Sequence, residues 1–145
     1  MSDLLFVYGT LRPGAESDRG PGKGVLKTMQ ESAERVGAGR IRGRLHWVSW
    51  YPGVLESRNT NDIVKGDVYR LRDAESVLAT LDRYEGAAPL PSTRHEYTRR
   101  KKLVTLTGGR RAFAWVYIYN RPQNVGERIA SGDFLRSARQ RRGRK

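Results

Sequence analysis

Two β-like segments, Tyr97 to Thr107 and Arg110 to Tyr119, are separated by nothing but Gly108-Gly109. A two-residue connection of this kind marks a hairpin of antiparallel neighbours, and paired glycines supply the positive φ angles that so tight a turn requires. Other strand-like segments accompany it. Leu4 to Tyr8 is a short continuous apolar run closed by Gly-Thr-Leu-Arg-Pro-Gly at 9 to 14, Ile41 to Trp50 mixes β-branched and aromatic residues before Tyr51-Pro52-Gly53 breaks it, and Val64 to Leu71 reads as a further strand. Tyr117 and Tyr119 lie on the late strand of the hairpin, and alternation is expected to turn only one of them toward a given side.

Helical spacing is found in two places. Val25, Leu26, Met29, Ala33 and Val36 recur at helical intervals between Gly22 and Gly37, which predicts an amphipathic helix there. The better-defined helix begins after Asp73 as N-cap, runs through Val77, Leu78, Leu81 and Tyr84, and stops at Gly86, where a left-handed residue is wanted. Ser131-Gly132-Asp133 is placed to start a last short helix. Strands outnumber helices and hairpins are frequent, so the fold class is α+β with a largely antiparallel sheet.

Composition narrows the class of protein. The 145 residues make one domain at the usual ~100–200 residues per domain. Cysteine is absent, which excludes disulfides, thiolate zinc sites and cysteine nucleophiles. The apolar run at the N-terminus is too short for a signal segment, and no stretch approaches the ~20 residues of a membrane span, so a cytoplasmic protein with no membrane partner is expected. The formal charge is +13, and residues 136 to 145 carry six cations and no acid. The chain divides accordingly into a single domain over 1–135 and a basic, flexible tail over 136–145. Another basic run occupies Arg99 to Lys102. Such runs bind phosphates electrostatically or serve as a solvated edge and a frayed end. With no nucleic-acid-binding signature beside them, a nucleic-acid partner is not expected, although the tail leaves that open. Oligomeric state is not legible.

The chemistry is narrowed by what is missing. His46 and His95 fall in unrelated segments, no G-x-S-x-G or H-E-x-x-H pattern occurs, and the glycines at 20 to 24 and 37 to 39 lie outside any phosphate-loop register. One carboxylate stands out. Glu85 follows Leu81 by four residues and Leu78 by seven, so on a helix it shares their core-directed side. Burial and the negative end of the helix dipole would both raise its pKa, which suits a group that shuttles protons. Fraying at Gly86 would instead turn it outward to pair with Arg83 or a basic loop. A second candidate is the loop Gly9-Thr10-Leu11, where glycine permits close approach and consecutive N–H groups would form a nest for a carboxylate or an oxyanion; the same residues also read as an ordinary strand end.

Tyr8-Gly9-Thr10-Leu11-Arg12-Pro13-Gly14, Gly43-Arg-Leu, Tyr51-Pro-Gly, Val64-Lys-Gly-Asp-Val-Tyr69, Leu81-Asp-Arg-Tyr-Glu85-Gly86, Tyr97-Thr-Arg99, Ala114-Trp-Val-Tyr-Ile-Tyr119 and Ile129-Ala-Ser-Gly-Asp133 occur in this order. In this ordered set the chain resembles the γ-glutamylcyclotransferase-like family, also called AIG2-like or BtrG-like. The resemblance implies a small mixed, largely antiparallel β-barrel flanked by short helices. It also implies an enzyme that cleaves a γ-glutamyl amino acid or γ-glutamyl amine by cyclisation to 5-oxoproline and a free amine. On the family's motifs Glu85 falls at the acid/base glutamate, and Tyr8, Gly9, Thr10 and Leu11 at the loop that cradles the substrate's α-amino and carboxylate end. No cofactor and no metal are expected for such a reaction. The alternative is a non-catalytic binding protein that keeps the barrel and uses its basic surface to hold a polyanion or a protein.

Overall fold

The computed structural model describes residues 3–9, 31–48, 51–84 and 97–143. Among these, β1 (Leu4–Val7), β2 (Ala33–Arg42), β5 (Ile63–Leu71), β6 (Tyr97–Leu106) and β7 (Arg111–Tyr119) close a barrel in the order β1-β5-β2-β6-β7, while β3 (Arg44–Trp47) and β4 (Pro52–Leu55) form a separate hairpin. The barrel is mixed: β1 runs parallel to β7 and every other neighbour is antiparallel. The expected hairpin is present with both glycines at positive φ, 96° and 92°, but its connection is longer than the two glycines: β6 ends at Leu106 and β7 begins at Arg111, the Leu106 N–H donating to the Arg110 carbonyl at 2.7 Å across the loop.

Alternation along the strands sorts the apolar side chains into two cores. Phe6, Val68, Ile41, Val104 and Val116 come one from each barrel strand and belong to one cluster, which is therefore the barrel interior. Leu5, Val7, Tyr117 and Tyr119 take the opposite positions and form the second cluster with Val77, Leu78 and Leu81 of the helix α1 (Ala74–Tyr84). That apolar stripe is what holds α1 to the outside of β1 and β7, each of its buried side chains being worth about 2 kcal/mol. The helix starts directly after Asp73, whose carbonyl accepts the Val77 N–H at 3.1 Å. A second helix, α2 (Phe134–Gly143), begins where expected, the Asp133 carboxylate accepting the Arg136 N–H at 3.3 Å, and its backbone extends through residues assigned above to the basic tail.

The helix expected between Gly22 and Gly37 is corrected at its C-terminal end. Glu31 and Ser32 are helical, but Ala33 opens β2, which pairs with β5 from Ala33↔Leu71 to Arg42↔Ile63. The ladder carries a bulge between Arg35 and Gly37, so Val36 is the extra residue and stands 43% exposed. A bulge shifts the alternation by one and turns an apolar spacing of two into three, which imitates a helix. Pro52 and Gly53, expected to end a strand, begin β4; proline is tolerated as the first residue of a strand.

One charged knot ties the loop before β5 to its surroundings. The buried Asp62 carboxylate accepts from Ser57 Oγ at 2.6 Å, Arg44 Nε at 2.9 Å and Arg128 at 2.7 Å. These donors, the Ser57 hydroxyl first and the two guanidinium groups after it, hold its carboxyl far below the ordinary aspartate range. A carboxyl depressed by folding stabilises fully above its unfolded pKa of about 4, and that stabilisation drains away as pH falls toward the folded value. Urea midpoints are thus expected to fall between about pH 4 and pH 2, and Asp62→Asn to be less stable at pH 7 with a flatter profile in that window. Parallel profiles for the two proteins would remove Asp62 from the acid response.

Candidate active site

The end of β1 is fixed by side-chain contacts to β7 and β4. Tyr8 is buried, its ring lies in the interior core, and its hydroxyl donates to the Tyr117 carbonyl at 2.6 Å. Gly9 packs against β4: a Cβ added there would lie 2.9 Å from Pro52 Cγ, so only glycine allows this approach. Pro52 is held in turn by the Tyr97 hydroxyl, which donates to the Pro52 carbonyl at 2.7 Å, and the Tyr97 ring meets Tyr119 edge-on at 5.4 Å.

The last turn of α1 is anchored just as firmly. Asp82 is buried and takes Arg99 in a two-pronged ion pair, Nε to Oδ1 at 2.9 Å and a terminal nitrogen to Oδ2 at 3.2 Å, while the Tyr117 hydroxyl donates to Oδ1 at 2.7 Å. The Arg99 guanidinium lies 4.4 Å over the Trp115 ring. A planar cation held by a carboxylate on its edge and an indole on its face has little freedom left.

These two sets of contacts use alternate rungs of one ladder, on the same face, with Thr98 opposite Ile118 between them. Tyr97 is opposite Tyr119, and Arg99 is opposite Tyr117. The first rung holds β4 against the end of β1, the second holds the end of α1, and the two are one pleat repeat apart, about 7 Å. The structure therefore brings the last described residue of the β1 loop, Gly9, and the last turn of α1 to the same corner of the barrel. Thr10, Leu11 and Glu85 lie outside the described residues, as do His95 and the Arg83 side chain; Glu85 is three residues beyond Asp82 in sequence.

Two sequence readings need correction at this corner. Tyr117 and Tyr119 share one face, because the strand period is two and residues two apart point the same way; both are buried in the outer core. Arg99 is not part of a solvated basic edge but the partner of Asp82. Neither Asp82 nor Arg99 was singled out from the sequence. The available signal was an aspartate next to Leu81 on the apolar side of a predicted helix, which asks for a buried cation.

Among the described residues no group of three or more His, Cys, Asp or Glu side chains is arranged to hold a metal ion. His46 is engaged elsewhere, its Nδ1 lying 3.1 Å from the Gly126 carbonyl. No described helix is long and apolar enough to cross a membrane.

Comparison with known proteins supplies the context. Residues 5–136 match the model of the family described as γ-glutamyl cyclotransferase, AIG2-like. The chain is 31% identical over 127 residues to the γ-L-glutamyl-butirosin B γ-glutamyl cyclotransferase of Niallia circulans, covering 87% of this chain and 72% of that one. It is also 31% identical over 132 residues to the γ-glutamylcyclotransferase family protein YtfP of Escherichia coli K12, covering 90% and 95%. Among solved structures, an AIG2-like protein from Mus musculus superposes with a TM-score of 0.61 at 22% identity over 86% of this chain and 84% of that one. YkqA from Bacillus subtilis gives 0.69 at 22% identity over all of this chain, which spans 44% of that longer protein. The shared barrel, the ordered motifs and the match from residue 5 to residue 136 lead to one conclusion: the chain belongs to the γ-glutamyl cyclotransferase, AIG2-like family.

Proposed function

We infer that the protein is a γ-glutamyl cyclotransferase acting on a γ-glutamyl amino acid or γ-glutamyl amine, with Glu85 as the acid/base and the Tyr8 to Leu11 loop as the cradle for the substrate's α-amino acid end. The observation that supports this reading is the pair of same-face rungs, Tyr97–Tyr119 and Arg99–Tyr117, which tie the chain just before Thr10 and the chain just before Glu85 to one corner.

The reaction suits that corner. The substrate's own α-amine attacks its γ-carbonyl carbon, so nucleophile and electrophile already belong to one molecule and orientation supplies much of the rate. A bond forms between the α-nitrogen and the γ-carbon, and the bond from that carbon to the departing nitrogen breaks. Glu85 takes the proton that the attacking nitrogen must lose and returns it to the leaving nitrogen, so no water is consumed. Backbone N–H groups of the loop at 9 to 11 stabilise the carbonyl oxygen as it gains charge. The Tyr8 hydroxyl, donating to the Tyr117 carbonyl, fixes the end of β1 from which the loop departs. The relative from Niallia circulans is named for γ-L-glutamyl-butirosin B, and the same chemistry extends to any amine the outer part of the site admits.

A panel of γ-glutamyl amides, spanning amino acids, small amines and an aminoglycoside, tests the reading by release of 5-oxoproline together with stoichiometric free amine. Turnover of at least one member is expected. Release of glutamate in place of 5-oxoproline, or no release from any member, would overturn it.

A further inference from the structure

Strands β2 and β6 are joined by two pairs, Gly39↔Leu106 and Arg40↔Thr105, although β2 runs on to Arg42 and β6 begins at Tyr97. Past those pairs the strands part, and a groove of about 390 Å³ lies between them with the loop after β4 along its side. Arg40, Arg42, Lys102 and Arg111 line it against one acid, Glu56. Glu56 pairs with Lys102, whose hydrogen bond holds the Glu56 carboxyl below its usual range. Three positive charges are left over, because among the described residues no carboxylate pairs with Arg40, Arg42 or Arg111. Thr105 stands between two of them. Its register partners are Arg40 on β2 and Arg111 on β7, so the three side chains leave the sheet in one row, the arginine Cα atoms about 10 Å apart across two strand spacings. Two arginine side chains span that distance and can close on one anion above the Thr105 hydroxyl, which bonds to none of the described residues. Arg42 follows Arg40 on the same face, about 7 Å along β2. Like charges set side by side on a sheet repel, so the row costs stability until an anion enters it.

We propose that the groove binds a small organic phosphate carrying a second anionic group, the phosphate lying between Arg40 and Arg111 over the Thr105 hydroxyl and the second group meeting Arg42. The phosphate is chosen by the directions of its donors. Two guanidinium forks from opposite sides and a hydroxyl beneath suit the three free oxygens of a phosphate ester, whereas a carboxylate offers two oxygens in one plane. The second group is chosen by Arg42, which stands one pleat repeat away, farther than a single phosphate extends. Size selects a small molecule, since a volume of about 390 Å³ falls in the ~300–1,000 Å³ range of small-molecule sites. Leu103, 44% exposed, and Ile63 give the short carbon skeleton an apolar wall between the charged positions. A polyanion would need the line of free cations to continue beyond the groove, and the next arginine along the chain, Arg44, is taken by Asp62.

Isothermal titration of the full chain at low salt with three probes tests the proposal: phosphoglycerate esterified at its terminal carbon, which carries both anionic groups, inorganic phosphate, and glycerate, which lacks the phosphate. Phosphoglycerate is expected to bind about ten- to a hundredfold tighter than inorganic phosphate, and glycerate more weakly than either. Arg40→Gln combined with Arg111→Gln should weaken both phosphates by about tenfold or more. Arg42→Gln should leave inorganic phosphate unchanged and bring phosphoglycerate to within about threefold of it. The substituted side chains are exposed, so both variants are expected to keep the parental circular dichroism spectrum. Phosphoglycerate affinity that survives the double substitution would assign binding to cations elsewhere, such as those at 136 to 145, and overturn the proposal. So would equal affinity for phosphoglycerate and inorganic phosphate, equal affinity for phosphoglycerate and glycerate, or no heat from any of the three probes.

Discussion

Glutamine in place of Glu85 is expected to slow 5-oxoproline release by about 10²–10⁴-fold while leaving substrate affinity within about threefold of the parent. Glutamine matches glutamate in length and in its carbonyl acceptor, so a role limited to hydrogen bonding or packing would survive the change. Proton transfer would not, because an amide has no useful basicity near neutral pH. In the cyclisation the attacking α-amine must lose a proton as its bond to the γ-carbon becomes the lactam amide, and the leaving nitrogen must gain one to depart as an amine. One carboxyl that does both enters every turnover, and its loss therefore appears in kcat rather than KM. Isothermal titration with a γ-glutamyl amide that the variant turns over slowly would measure binding separately from turnover. Near-parental turnover in Glu85→Gln would eliminate the role assigned to this residue, whatever the affinity.

The parts of the fold governed by local rules were legible in the sequence. Gly108-Gly109 announced the β6–β7 hairpin because the turn type itself requires positive φ, and the spacing of Val77, Leu78 and Leu81 announced α1 because a surface helix needs one apolar face. Parts that depend on pairing across the chain were not legible in this way. Val36 completed a helical spacing only because a bulge opposite Tyr69 and Val68 inserts it into β2, and nothing within residues 22 to 37 reports the partner strand that causes this. The basic run at 99 to 102 looked uniform in sequence, yet its members separate in the fold: Arg99 goes to Asp82, Lys101 over Trp115 and Lys102 to Glu56. Strand alternation and the approach of α1 make that separation, and neither is a property of four consecutive cations. Thr10, Leu11 and Glu85 are assigned by motif and lie outside the described residues, whereas the Asp82 anchor has no motif to announce it, because its partners lie 17 and 35 residues away along the chain.

The Asp82 anchor carries the second large expected effect. Asp82→Ala leaves the Arg99 guanidinium without its carboxylate and the buried Tyr117 hydroxyl without its acceptor, and a loss of about 2–3 kcal/mol in unfolding free energy is expected. Arg99 is 21% exposed and recovers some hydration, which keeps the loss at that level rather than higher. Asp82→Ala, Arg99→Ala and the double variant should show a coupling of about 1–3 kcal/mol, since the two side chains touch. Tyr117→Phe, which deletes one donor and leaves the ion pair in place, should cost about 1–2 kcal/mol. Catalysis provides the readout that a purely structural role would not move. Asp82 fixes the helical turn that leads to Glu85, and a shift of about 1 Å in a reacting group can cost about a hundredfold in rate. At a temperature where Asp82→Ala is fully folded, kcat is therefore expected to drop at least about tenfold with KM changed much less, and Tyr117→Phe to show a smaller drop in the same direction. Parental kcat in folded Asp82→Ala would mean that the last turn of α1 reaches its place without this anchor, and that the Arg99–Tyr117 rung supports the barrel alone.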